Sequence, residues 1–221
     1  MKPLIILNLK TYKKSSSDRA TKLIKKINSI KSKRIIITSQ TPDLVQLKKI
    51  SKHLIYAQHV DPFTPGRNTG FIIIEELKSQ KIKGSLLNHS EHRIPKKTIK
   101  QTLKHAKEKN FKIILCVQSL KETKKYLKFK PNMIALELPE LISSSKSITE
   151  YKSPLVKNFS SLIKKFNKKK KTNIIPLCGA GISNKEDVQE AINLGCSGVL
   201  LSSAFVNSRD PEKFIRSLIT K

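Results

Sequence analysis

Glycine is scarce, with 7 in 221 residues, and none is arranged as the GxGxxG turn of dinucleotide-binding folds or the GxxxxGK[ST] loop of nucleoside-triphosphate sites. Those two nucleotide-binding signals are missing. Cysteine is equally sparse: Cys116, Cys178 and Cys196 are odd in number, far apart and in apolar settings, with no CxxC pair. That pattern excludes a disulfide framework and a zinc ribbon, and it fits a reducing compartment. No apolar run approaches the roughly 18 residues of a membrane span. Leu4 to Leu7 is too short for a signal-peptide core and gives way to Asn8 and Lys10. A soluble, cytoplasmic protein with no membrane partner is expected. Long Ser, Gly or Pro tracts are also missing, so residues 1–221 read as one globular unit.

Acidic residues are few, 16 against 45 lysines and arginines, and the formal net charge is +29. Such a balance invites a nucleic-acid partner. The pattern argues otherwise. Only six of the basic residues are arginine, aromatics are not interleaved with the lysines, and only Lys168 to Lys171 form a run. The charge reads as a solvated lysine-rich surface with weak, salt-sensitive adhesion to anions and no specific nucleic-acid partner.

What the chain does have is repetition. Eight short runs rich in Ile, Leu and Val occur at Leu4–Leu9, Arg34–Thr38, Leu54–Gln58, Gly84–Asn88, Phe111–Val117, Met133–Glu137, Asn173–Cys178 and Gly198–Leu201. Their continuous apolar character predicts strands buried on both faces, as in parallel sheets. Amphipathic helices are predicted between them, over about 15–30, 41–50, 69–80, 95–109, 119–128, 154–167, 184–194 and 210–219. Ser183 with Glu186 reads as a capping box, Pro95 as a first-turn residue and Gly195 as a helix stop. Eight strand–helix units with right-handed crossovers close into a (β/α)₈ TIM barrel, with an open doubly wound sheet as the competing α/β solution.

In a barrel of this kind the polar residues that end the strands gather on the C-terminal rim, where active sites are built. Here they are Asn8 and Lys10, Gln58 and His59, Asn88 and His89, and Glu137, with small-residue loops after the last two strands. Asn-x-Lys after the first strand, Asn-His-Ser-Glu after the fourth and Ala-Leu-Glu-x-Pro after the sixth together resemble triosephosphate isomerase. "QHVDPFTPGRNTG" at 58–70 and "CGAGI" at 178–182 are similar to the short archaeal type. The resemblance runs from about residue 4 to residue 219.

The resemblance implies a glycolytic and gluconeogenic isomerase that interconverts dihydroxyacetone phosphate and D-glyceraldehyde 3-phosphate through an enediolate, without cofactor or metal. It implies Glu137 as the base, His89 as the group on the substrate oxygens and Lys10 as a fixed positive charge. Asn8 would orient Lys10 and reach the substrate, and Glu91 would hold the lysine. Phosphate contacts fall to Gly181, Ser202 and Ser203, and lid contacts to Ile142 and Ser143. Two departures stand out: Ser202 and Ser203 replace a glycine pair, tolerable where φ is not left-handed, and Ser143 to Ser145 replace Gly-Thr-Gly in the lid, so altered lid kinetics are expected. His53, His59, His92 and His105 read as structural. The loop at 59–69 would dock on a neighbouring subunit in a dimer or tetramer. Two other readings remain: another phosphate-binding barrel, such as an indole- or thiazole-pathway synthase, and a basic RNA-associated barrel protein.

Overall fold

A computed structural model describes residues 2–137, 153–179 and 181–219. Eight parallel strands close on themselves in sequence order: β1 (Leu4–Asn8), β2 (Ile35–Ser39), β3 (Leu54–Ala57), β4 (Gly84–Leu87), β5 (Lys112–Val117), β6 (Met133–Leu136), β7 (Ile175–Cys178) and β8 (Gly198–Leu201). The final ladder pairs β8 with β1, Ile5 opposite Val199 and Ile6 opposite Leu200. The expected (β/α)₈ barrel forms, and the open doubly wound sheet does not.

Helices α1 (Ser17–Ile27), α2 (Leu44–Ile50), α3 (Ile74–Ser79), α4 (Lys96–Glu108), α5 (Leu120–Leu127), α6 (Ser153–Lys170), α7 (Lys185–Asn193), α8 (Ser203–Val206) and α9 (Pro211–Ile219) lie among the described residues. Their lysines occupy outer faces while a narrow apolar stripe packs inward. In α1 that stripe is Ala20, Leu23, Ile24 and Ile27, all buried at helical spacing.

Strand alternation divides the core in two. Ile5, Leu7, Ile35, Ile37, Ile113, Leu115, Ile134 and Leu136 face the helices, whereas Leu4, Ile6, Ile36, Tyr56, Leu86, Ile114, Cys116, Met133, Ala135, Leu177 and Leu200 fill the barrel interior. The second set ends at the C-terminal rim, where the same parity delivers Asn8, Thr38, Gln58 and Glu137 to the axis.

Gly198 is needed for closure. A Cβ there would lie 2.1 Å from the Leu4 carbonyl oxygen, so any side chain forces β8 off β1. Gly198→Ala is expected to cost about 3 kcal/mol, an overpacking penalty at a ladder that cannot relax. The urea midpoint, compared with the unaltered chain, checks it.

Two expectations require correction. The helix predicted over 69–80 begins only at Ile74, because Asp61 ties down the preceding loop. Its amide donates to the Ile72 carbonyl at 2.7 Å and its carboxylate accepts from the Ile72 amide at 2.9 Å, while Gly70 turns the chain at φ 88°. The cap of α7 is Asn184, not Ser183: Asn184 Oδ1 accepts from the Asp187 amide at 2.8 Å, and the Asp187 carboxylate reaches back to the Ser183 amide at 2.8 Å. The reciprocal pairing is built one residue later, on the residue whose side chain reaches the third amide of the helix.

Candidate active site

Asn8 ends β1 facing the axis, 3% exposed. Its Oδ1 accepts from the Lys10 amide at 3.0 Å, the Thr38 hydroxyl at 3.2 Å and Gln58 Nε2 at 3.1 Å. Lys10 lies beyond the strand at φ 48°, so strand alternation does not aim it. The left-handed turn is held by Asn8 below and by Gln58, whose Nε2 also donates to the Lys10 carbonyl at 3.1 Å. The resulting turn brings Lys10 Nζ to 2.6 Å from Glu91 Oε1.

At the end of β4, Asn88 adopts φ 62°, a conformation that asparagine tolerates better than most residues. Its amide nitrogen donates to the Cys116 carbonyl at 3.0 Å and its Oδ1 accepts from the Ile94 amide at 3.1 Å. That reversal sends His89 toward the barrel mouth. The segment after His89 is a tight turn, closed by the His92 amide donating to the His89 carbonyl at 2.8 Å.

The turn determines the state of the imidazole. The Glu91 amide donates to His89 Nδ1 at 3.2 Å, so in the neutral ring the proton falls on Nε2, which Asn8 Nδ2 approaches at the longer distance of 3.5 Å. Nε2 lies 3.1 Å from Glu137 Oε1. The contact is short but off the line of a hydrogen bond, so Oε1, although buried, has no hydrogen-bond donor among the described residues. The other oxygen, Oε2, accepts from the Ser90 amide at 3.1 Å. Glu137 is fully buried, and the Cys116 thiol lies against its carboxylate. Burial first, and then the negative charge of Glu137, push that thiol well above its ordinary pKa, so it stays protonated.

Gly179 completes the seat of Glu137. A Cβ there would lie 2.9 Å from Glu137 Cγ and 3.0 Å from the Leu136 carbonyl oxygen. Gly179→Ala is expected to displace the carboxylate and lower kcat about 10²-fold, the scale of a small misplacement of a reacting group, with steady-state turnover as the readout.

A cavity of about 280 Å³ opens on this rim, walled by Asn8, Lys10, Gln58, His89 and Glu91, with Leu86 behind them. His59 and His92 also stand on its wall, their rings 4.4 Å apart. Burial draws the His59 imidazole below its ordinary pKa, ahead of the opposing pull of Asp61, whose Oδ1 is 3.1 Å away.

The structure thus brings Asn8, Lys10, His89, Glu91 and Glu137 together. Gly181, at φ 61°, and Ser202 stand after β7 and β8 on the same rim but line neither this cavity nor the His89–Glu137 contact. Ser202 has φ −141°, outside the left-handed region, so serine costs nothing where a glycine was the familiar residue. Ser203 opens α8, and the Ser202 hydroxyl is buried with no hydrogen-bond partner among the described residues. Ile142 and Ser143, with the rest of Ser143 to Ser145, lie outside the described residues. Among the described residues, no group of three or more His, Cys, Asp or Glu is placed to hold a metal ion.

A buried carboxylate with one oxygen unpartnered among the described residues, an imidazole beside it and a lysine across a small cavity define a barrel enzyme of the proton-transfer class. The sequence profile of triosephosphate isomerase matches residues 3–218, and the chain belongs to that family. It is 35% identical to the triosephosphate isomerase of Methanothermus fervidus, covering 100% of this chain and 99% of that protein. The corresponding enzyme of Thermoplasma volcanium is 37% identical, over 97% of this chain and 98% of that protein. That of Saccharolobus solfataricus is 35% identical, over 99% and 95% respectively.

Proposed function

We propose that Glu137, His89 and Lys10 carry out the interconversion of dihydroxyacetone phosphate and D-glyceraldehyde 3-phosphate on this rim. Glu137 takes the proton from C1 of dihydroxyacetone phosphate, and the C–H electron pair becomes the C1–C2 double bond of an enediolate. His89 Nε2–H donates to the C2 oxygen as charge gathers there, and the ring then carries a proton between the two oxygens. Lys10 offsets the negative charge, and Glu137 returns its proton to C2. The observation that carries the reading is Glu137 Oε1 beside His89 Nε2: a buried carboxylate oxygen with no hydrogen-bond donor among the described residues is free to receive a proton.

In the resting arrangement Glu137 Oε2 is held by the Ser90 amide, so substrate must draw the carboxylate off that donor and over the cavity. Asn8 fixes the Lys10 turn and Glu91 fixes the ammonium. The phosphate is assigned to the amides of Gly181, Ser202 and Ser203, since a helix N-terminus presents N–H groups without intrahelical acceptors. Ile142 and Ser143 are assigned to the lid that excludes water from the enediolate. The reaction draws on no cofactor or metal.

The assembly is a homo-oligomer, dimer or tetramer, through the loop at 59–69. Phe63 in that loop and Phe71 just after it support this: their tilted rings lie 4.4 Å apart and are 36% and 51% exposed, a paired apolar surface of the kind that interfaces cover. A cytoplasmic location is favoured by the burial of Cys116, Cys178 and Cys196. Among the described residues no helix is long and apolar enough to cross a membrane. Turnover of dihydroxyacetone phosphate, coupled to consumption of glyceraldehyde 3-phosphate, tests the assignment; no turnover would reject it.

A further inference from the structure

The opposite mouth of the barrel is hollow. A cavity of about 540 Å³ lies at the N-terminal ends of the strands, with Leu4, Ile36, Leu54, Met133 and Ile175 on its apolar wall. In this fold that end is normally a packed floor, filled by bulky inward-facing side chains. Here the lowest inward positions of β4 and β8 are Gly84 and Gly198, and that of β5 is Lys112, on the same face as Ile114 and Cys116. Tyr56 leans into the space above Gly84, where a Cβ would meet its ring at 2.3 Å. Tyr56 is 4% exposed and lines the cavity. Burial raises its pKa to about 12, so it remains a neutral donor.

Charge around this mouth has one sign. Lys33, Lys112 and Lys130 line it and, among the described residues, no carboxylate does. An adjoining hollow shares Lys33 and Leu54 and adds Lys31, Lys48 and Lys52. Those lysines follow or end α1 and α2, where helix C-termini account for them. Lys112 has no such explanation, because it begins a strand and faces the axis.

We propose that the N-terminal mouth binds a small organic anion with an apolar body, its carboxylate held by Lys112 and the Tyr56 hydroxyl, with Lys33 and Lys130 at the rim. The size and the apolar wall with few convergent polar groups are those of a small-molecule site. An anion meets a lysine and a phenol on the cavity wall, and its body covers the exposed Leu54.

The chain supplies its own reporter, since Met133 lines the cavity and the other methionine is the terminal Met1. The full chain, labelled with ¹³C at the methionine methyls, is titrated with 1-naphthylacetate and with the uncharged 1-naphthaleneacetamide. The acid is expected to shift Met133 saturably, with the amide about tenfold weaker and the acid about tenfold weaker in Lys112→Gln, the loss of one charge-assisted bond. Isomerase turnover of Lys112→Gln should equal that of the unaltered chain, which reports its folding. Equal affinity for acid and amide, unchanged affinity in Lys112→Gln, or shifts at Met1 with Met133 unmoved would overturn the proposal. Should Lys112→Gln not fold, the acid and amide comparison on the unaltered chain decides.

Discussion

Glu137→Gln is expected to lower kcat about 10³-fold, within the range of a positioned general base, while KM changes little. Glutamine keeps the shape of the side chain and an oxygen to accept from the Ser90 amide, so the seat formed by Ser90, Cys116 and Gly179 stays filled. What disappears is the capacity to take a proton from carbon. Because position 137 is fully buried, a neutral amide also avoids the desolvation cost of a carboxylate, and the thermal midpoint should hold or rise. Loss of turnover together with loss of folding would point to a structural carboxylate instead. Steady-state kinetics and a thermal melt on the same sample separate the two.

His89→Gln is expected to lower kcat about 10²- to 10³-fold, the usual consequence of losing one donor aimed at developing negative charge. The imidazole is suited to this by its neighbours more than by its own chemistry. The Glu91 amide occupies Nδ1 and leaves a single proton on Nε2, the nitrogen 3.1 Å from Glu137. A glutamine amide can donate from a similar place but cannot pass a proton between two oxygens, so the deficit should fall on kcat. An equal rise in KM with kcat intact would mean that His89 only binds substrate.

Much of this arrangement is legible in the sequence because parallel barrel strands are continuously apolar and their polar terminators are few. Asn8, His89 and Glu137 are conspicuous for that reason. The residues that position them are not. Gln58 and Asn88 look like ordinary strand ends, yet one clamps the Lys10 turn and the other turns His89 inward through a left-handed residue. Cys116 reads as one more apolar core position, and only the register of β5 against β6 sets it beside Glu137. Gly179 is one of two glycines in "CGAGI", and nothing local says that it is the one packed on Glu137. Parity along β5, which sets Cys116 on the same face as Ile114, is the signal that would have exposed Cys116. The loop at 59–73 was less legible, because its apolar residues mimic a helix start while the Asp61 bonds to Ile72 keep it extended.

The central claim is that isomerisation proceeds by moving a proton from carbon to a carboxylate. Turnover of dihydroxyacetone phosphate in deuterium oxide, with the product read by NMR, tests it most directly. Most glyceraldehyde 3-phosphate molecules should carry one solvent-derived deuterium at C2, and Glu137→Gln should suppress its appearance in step with kcat. Product formed at full rate with no solvent deuterium at C2 would mean direct hydrogen transfer between the carbons, and would contradict the roles assigned to Glu137 and His89.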